Sequence, residues 1–128
     1  MSAQELPHFD APGLCRLLNQ STPDLLDELP YGVIGFLPNG RIQRYNRHES
    51  QMAFFDRETV LGQHVFLELA PCLNNYLVET RFADAEAAGQ SLDETLPYVL
   101  TFRMRPTRVR LRLLSEPEQP LRFVLIHR

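Results

Sequence analysis

A chain of 128 residues and 14.8 kDa has the length of one domain, able to build a core without disulfides or metal, which excludes a two-domain enzyme. Hydrophobic residues at 44% and charged residues at 23% exclude a disordered or membrane-embedded chain, and a net charge of −3 argues against nucleic acid as the partner. All 13 basic side chains are arginine, so lysine Schiff-base chemistry is excluded as well. No apolar run reaches the roughly 18 residues of a spanning helix, and Met1 to Asp10 lacks a basic and then apolar leader. A cytoplasmic protein with no membrane partner is expected. Cys15 and Cys72 form neither a C-x-x-C pair nor a zinc pattern with His8, His48, His64 and His127, so free thiols and no metal are expected.

Two short helices come first. Asp10, Ala11 and Pro12 lead into Leu14, Leu17 and Leu18; Thr22 can cap a second helix with Pro23 at its first position, followed by Asp24, Leu25, Leu26 and Leu29. Both are too short to stand alone and should pack as a cap. From Tyr31 the period changes, and Tyr31–Leu37 and Arg41–Tyr45 read as strands joined at Asn39-Gly40. Between Asn46 and Ala70 only short helical pieces are expected, one opened by Asp56 and closed by Gly62. Leu73, Tyr76, Leu77, Thr80, Phe82, Ala85 and Ala88 recur at near-helical spacing ahead of Gly89, which predicts the one long helix.

Three strands follow, Leu96–Met104, Thr107–Leu114 and Leu121–His127. Pro97 should make the first of them an edge strand, or one that begins just after it. In the second, Arg108, Arg110 and Arg112 alternate with Val109, Leu111 and Leu113, so one face is packed and the other is wet or covered by arginine stems. Two strands, several helices and three strands is the chain order of a PAS domain. The expected class is α+β, a five-stranded antiparallel sheet with helices on one face and an N-terminal helical cap for the other. The cap would be residues 1–28 and the sensor core residues 29–128.

Three places carry chemistry: Tyr45 with Glu49, Cys72, and Met104. Each has an ordinary reading, respectively a strand-end aromatic beside a surface carboxylate, a small buried hydrophobe, and a core filler. A thiol enzyme pairing Cys72 with His64 finds little support, since on a helix the two would stand about 12 Å apart along the axis.

Together, however, these residues resemble the photoactive yellow protein family from about Tyr31 to Arg128. The resemblance is carried by Tyr31-Gly-Val-Ile34, Asn39-Gly40, Gln43-Arg44-Tyr45-Asn46 with Glu49, Val60-Leu61-Gly62 before Phe66, Ala70-Pro71-Cys72, and Met104-Arg105-Pro106-Thr107. It implies a non-enzymatic blue-light photoreceptor with 4-hydroxycinnamic acid (p-coumaric acid) joined to Cys72 as a thioester. It further implies that Tyr45 and a protonated Glu49 donate to the buried phenolate and that Met104 touches the chromophore. Light would drive trans-to-cis isomerisation, Glu49 would give up its proton, and the cap would loosen toward a downstream signalling protein. Ile34, Val65, Phe66, Leu69, Leu100 and Phe102 could line the pocket, with Ala70 and Pro71 holding the attachment point in an extended turn.

Two positions depart from the family pattern: Ala53 stands where a threonine supporting the tyrosine is usual, and Phe55 where an arginine is usual. The alternative reading is a PAS protein-interaction or small-ligand sensor domain that carries no chromophore. A flavin sensor is disfavoured because Leu73-Asn74-Asn75 follows the cysteine.

Overall fold

The computed structural model describes residues 6–101 and 105–128. Five strands form one antiparallel sheet in the spatial order β2-β1-β5-β4-β3, with β1 Gly32–Phe36, β2 Ile42–Tyr45, β3 Leu92–Leu100, β4 Thr107–Ser115 and β5 Arg122–His127. The hairpin between β1 and β2 closes where expected. The amide of Gly40 donates to the Leu37 carbonyl, and Gly40 adopts φ 88°, the region that favours glycine. A Cβ at Gly40 would also overlap the His64 imidazole.

Helices and turns on one face bury Ile34, Phe36, Tyr45, Phe66, Leu73 and Phe82 against Leu111, Leu113, Val124 and Ile126. They are α3 Arg47–Ala53, α4 Arg57–Val60, a π-turn Val65–Leu69, a 3-10 turn Pro71–Leu73 and α5 Glu79–Ala88. On the opposite face α1 Leu14–Gln20 and α2 Pro23–Asp27 cover Tyr31, Val33, Leu114, Phe123 and Leu125 with Leu14, Cys15, Leu18 and Leu26. The second helix begins as its sequence dictates, with Thr22 accepting from the Leu25 amide and Pro23 next in line. The first begins later than Asp10 suggests, after Gly13 turns left-handed at φ 67°.

The long helix is shorter than its apolar spacing predicts. It starts at Glu79, because the Asn75 side chain accepts from the amides of Leu77 and Val78 and holds that stretch as a turn. Tyr76, counted on the apolar face, is exposed. Gly89 ends the helix with φ 64° as expected. Strand β3 begins at Leu92 and runs straight through Pro97. It tolerates the proline as an edge strand, hydrogen-bonded to β4 alone.

On β4, Arg108 and Arg110 are exposed, but Arg112 is only 5% exposed. Its guanidinium grips Asp93 at 2.9 and 2.8 Å and donates to the carbonyls of Phe9 and Ala11 at 2.9 and 2.7 Å. Arg112 thereby ties the segment leading into α1 to the sheet. Arg112→Ala leaves both carbonyls without charge-assisted donors, whereas the half-exposed Asp93 returns to water. The anchorage of that segment should weaken by about 2 kcal/mol or more, read as faster limited proteolysis between residues 6 and 20. An unchanged cleavage rate would show that apolar packing alone holds the segment.

Candidate functional site

Tyr45 is the last residue of β2, paired with Ile34 on β1. Asn46 then leaves the sheet and caps α3, its Oδ1 accepting from the Glu49 amide at 3.1 Å. Asn46 and Glu49 have the spacing of a capping box, in which the acid would reach back to the cap amide. Here the Asn46 amide donates instead to the Val33 carbonyl, and the Glu49 side chain turns inward. It is fully buried, so the surface-carboxylate reading of Glu49 is wrong. Its carboxyl lies against Gly32, where any Cβ would overlap Oε1, and it accepts from Arg128 Nη1 at 2.7 Å and Nη2 at 3.2 Å. Burial pushes the Glu49 pKa up, and the Arg128 guanidinium opposes that shift. Tyr45 is buried as well, its hydroxyl donating to the Glu49 carbonyl across 3.5 Å.

Ile34, Tyr45, Val65, Phe66, Leu69, Ala70 and Leu100 belong to one continuous buried cluster, and Cys72 packs against its edge, half-buried. The expected lining residues among those described thus share one buried cluster with Tyr45. Phe102 and Met104, also expected there, lie outside the described residues. Pro71 is exposed and opens a 3-10 turn rather than an extended one. Proline suits the first position of such a turn because its missing N–H has no partner to lose. Ala53 is buried and Phe55 packs against the same cluster.

Four contributors had no clear local signal. The Tyr98 hydroxyl donates to the Cys72 carbonyl, and Asn75 Nδ2 donates to that same carbonyl at 3.2 Å, so two side chains hold the backbone of the cysteine. Arg128 reaches Glu49 from 79 residues away. His64 Nδ1 accepts from the amides of Phe66 and Leu67, capping the π-turn that carries the pocket wall. His64 is therefore the cap of this turn. A cleft of about 110 Å³ opens beside the site, lined among others by Ala53, Leu100, Thr107 and Arg128.

The site is also joined to the helices on the far face of the sheet. Asn46 Nδ2 donates to the carbonyls of Leu26 and Tyr31 at 2.8 and 2.9 Å. Asp27, at the end of α2, accepts from the Arg47 amide and from the Arg57 guanidinium, whose Nε donates to the Tyr45 carbonyl.

No family model matches the chain. Among curated proteins, a photoactive yellow protein from Halochromatium salexigens is 31% identical over 97 residues, 76% of either chain. Among solved structures, the photoactive yellow protein domain of the sensor histidine kinase Ppr from Rhodospirillum centenum superposes with a TM-score of 0.80 at 31% identity, over 89% of this chain and 99% of that one. The PAS domain of an HTR-like protein from Haloarcula marismortui superposes at 0.56 with 21% identity, covering 83% and 91%, a likeness of fold alone. No helix among the described residues is long and apolar enough to cross a membrane. The sheet order, its helical coverings and these likenesses make the chain a PAS-fold member of the photoactive yellow protein family.

Proposed function

We propose that the chain is a cytoplasmic, non-enzymatic blue-light sensor that carries 4-hydroxycinnamic acid as a thioester on Cys72. Its readout would be an N-terminal cap, residues 1–28, over a core of residues 29–128. The observation that carries this reading is a carboxyl group with no solvent exposure, Glu49, beside the buried Tyr45, in the cluster that the thiol of Cys72 borders. The chemistry of this set fits the group: a half-buried thiol for attachment, the buried hydroxyl of Tyr45, and a buried carboxyl able to take up a proton. Burying a carboxyl costs several kcal/mol in desolvation, which the pairing with Arg128 offsets here. When bound, the group supplies light absorption, a double bond that isomerises and a phenolic oxygen that exchanges a proton.

The chain's own residues do the rest. The apolar cluster excludes water, so charge at Glu49 is felt strongly. Burial favours the neutral carboxyl, so Glu49 can take up a proton once its contact with Arg128 is released. Tyr98 and Asn75 fix the backbone at Cys72. Met104 and Phe102 would complete the pocket. A change of charge at Glu49 acts on α3, and Asn46 and Asp27 connect α3 to the carbonyl of Leu26 and the end of α2. The segment held there, rather than the sheet, is the part free to open toward a downstream signalling protein.

Treatment with an activated ester of 4-hydroxycinnamate tests this reading. Cys72 Sγ gives up its proton, takes the acyl group and expels the activating alcohol. One acyl group on Cys72 and a yellow protein that bleaches under blue light are expected, with no acylation in Cys72→Ala. Acylation at the buried Cys15 instead, or a protein that stays colourless, would return the chain to an interaction or small-ligand sensor of the PAS class.

A further inference from the structure

We infer that Arg128 sets the charge of Glu49, fixing it as a carboxylate in the chain without chromophore, so that a phenolate can be seated only when this contact opens and Glu49 takes up a proton. The inference rests on the photoreceptor reading for its purpose, and on geometry for its content. A guanidinium carries only donors, and here two of its nitrogens face the two oxygens of Glu49 at 2.7 and 3.2 Å. A proton on either oxygen would set donor against donor, so the observed fork is that of an ionised carboxyl. The pair is shielded, with Glu49 fully buried and the Arg128 side chain 14% exposed. The bare backbone of Gly32 gives the carboxylate its seat.

Among the described residues, Arg128 is the cation paired with Glu49. On α3, His48 is held below the usual imidazole range by burial and then by Arg128 and His127, so it adds no charge at neutral pH. On β5, His127 is exposed and stacks edgewise on Phe9. Arg105 shares the cleft with Arg128, and Tyr45 gives its hydroxyl to the Glu49 carbonyl. Phe55 stands where the family resemblance leads one to expect an arginine, and among the described residues the cation that meets Glu49 comes from beyond β5. One guanidinium cannot neutralise both a carboxylate and a phenolate in a water-free cluster; one of the two anions must be protonated. Arg128 is thus a positioning residue, acting through Glu49.

The test uses protein without chromophore. The Glu49 side-chain carboxyl is titrated by carbon-13 NMR, with Glu49→Gln identifying its signal. In Arg128→Met the midpoint should lie at least one pH unit above that of the native chain, a tenfold change in proton affinity. Arg128→Lys, which keeps a cation but not the fork, should fall between them and carries the test if the methionine variant does not fold. Coincident midpoints in the native chain and in either variant would overturn the inference. Failure to take up hydroxycinnamate would sink the photoreceptor reading and leave this titration standing, so the two are separable.

Discussion

Asn46→Ala is expected to cost about 3 to 5 kcal/mol of unfolding free energy. Its side chain is 1% exposed and makes four hydrogen bonds, accepting from the amides of Val33 and Glu49 and donating to the carbonyls of Leu26 and Tyr31. Loss of an N-cap costs about 1 kcal/mol, and each buried group left without a partner about 1 to 3 kcal/mol, with incomplete additivity among neighbours. Urea unfolding monitored by far-UV circular dichroism measures the loss. Asn46→Asp separates the two halves of the network, since it keeps both acceptors and sets an anion against the two carbonyls of the cap side. Proteolysis in that variant should begin in the first thirty residues while the sheet persists. A loss under about 1 kcal/mol in Asn46→Ala would mean that water replaces the amide readily, and that Asn46 does not couple α3 to α2.

The parts of the fold legible in the sequence were those whose signal is local. Asn39-Gly40 marks a hairpin because the turn needs a residue of positive φ. Thr22-Pro23 marks a helix start and Gly89 a helix stop for equally local reasons. The apolar spacing from Leu73 onward misled, because a single side chain, Asn75, diverts the amides of Leu77 and Val78 that a helix would use. Alternation along β4 correctly separated its two faces, but not the fates of its arginines. Whether Arg110 or Arg112 is buried depends on where residues 6–13 lie, roughly a hundred positions away.

The same division holds for the site. Tyr45 and Glu49 are four residues apart at a strand-to-helix junction, and Ala70-Pro71-Cys72 is contiguous, so both can be read along the chain. Glu49's burial cannot, because it arises from Gly32 on the neighbouring strand β1 and from Arg128 after the last strand. Nor can the Tyr98 contact to Cys72, in which an edge strand meets a 3-10 turn. A charge pair spanning 79 residues has no periodicity to betray it. It follows from the antiparallel pairing of β1 with β5, which sets Gly32 opposite Ile126 and so brings the residue two positions on to the Glu49 carboxyl.

Alkaline solution should release the α1 and α2 face of the sheet before any covalent change occurs. Cys15 and Tyr31 sit in the cluster between these helices and the sheet, 3% and 1% exposed. Burial pushes the Cys15 thiol from 9.0 to about 12, with Glu116 and Asp93 adding to the shift, and the Tyr31 phenol from 10.0 to about 12. Both are acids whose folded pKa is raised, so between the unfolded and folded values the folded chain holds protons that the unfolded chain has lost. Stability then falls as pH rises. The window opens near pH 9 for Cys15 and pH 10 for Tyr31 and closes near pH 12 for both. At about 1.4 kcal/mol per unit, the shifts amount to about 4 and 3 kcal/mol, a large part of the stability of a small domain. Tyr31 also gives its hydroxyl to the Pro7 carbonyl at 3.0 Å, and the phenolate has no proton to donate there. The part of the 295 nm ionisation that disappears in Tyr31→Phe should therefore coincide with exposure of the first thirty residues to protease. Cys15→Ala should move the onset from near pH 9 toward pH 10, leaving the Tyr31 step in place. If the phenol titrates near pH 10 with the segment still protected, water reaches the cluster without unfolding, and burial does not link these groups to the anchorage of the helices.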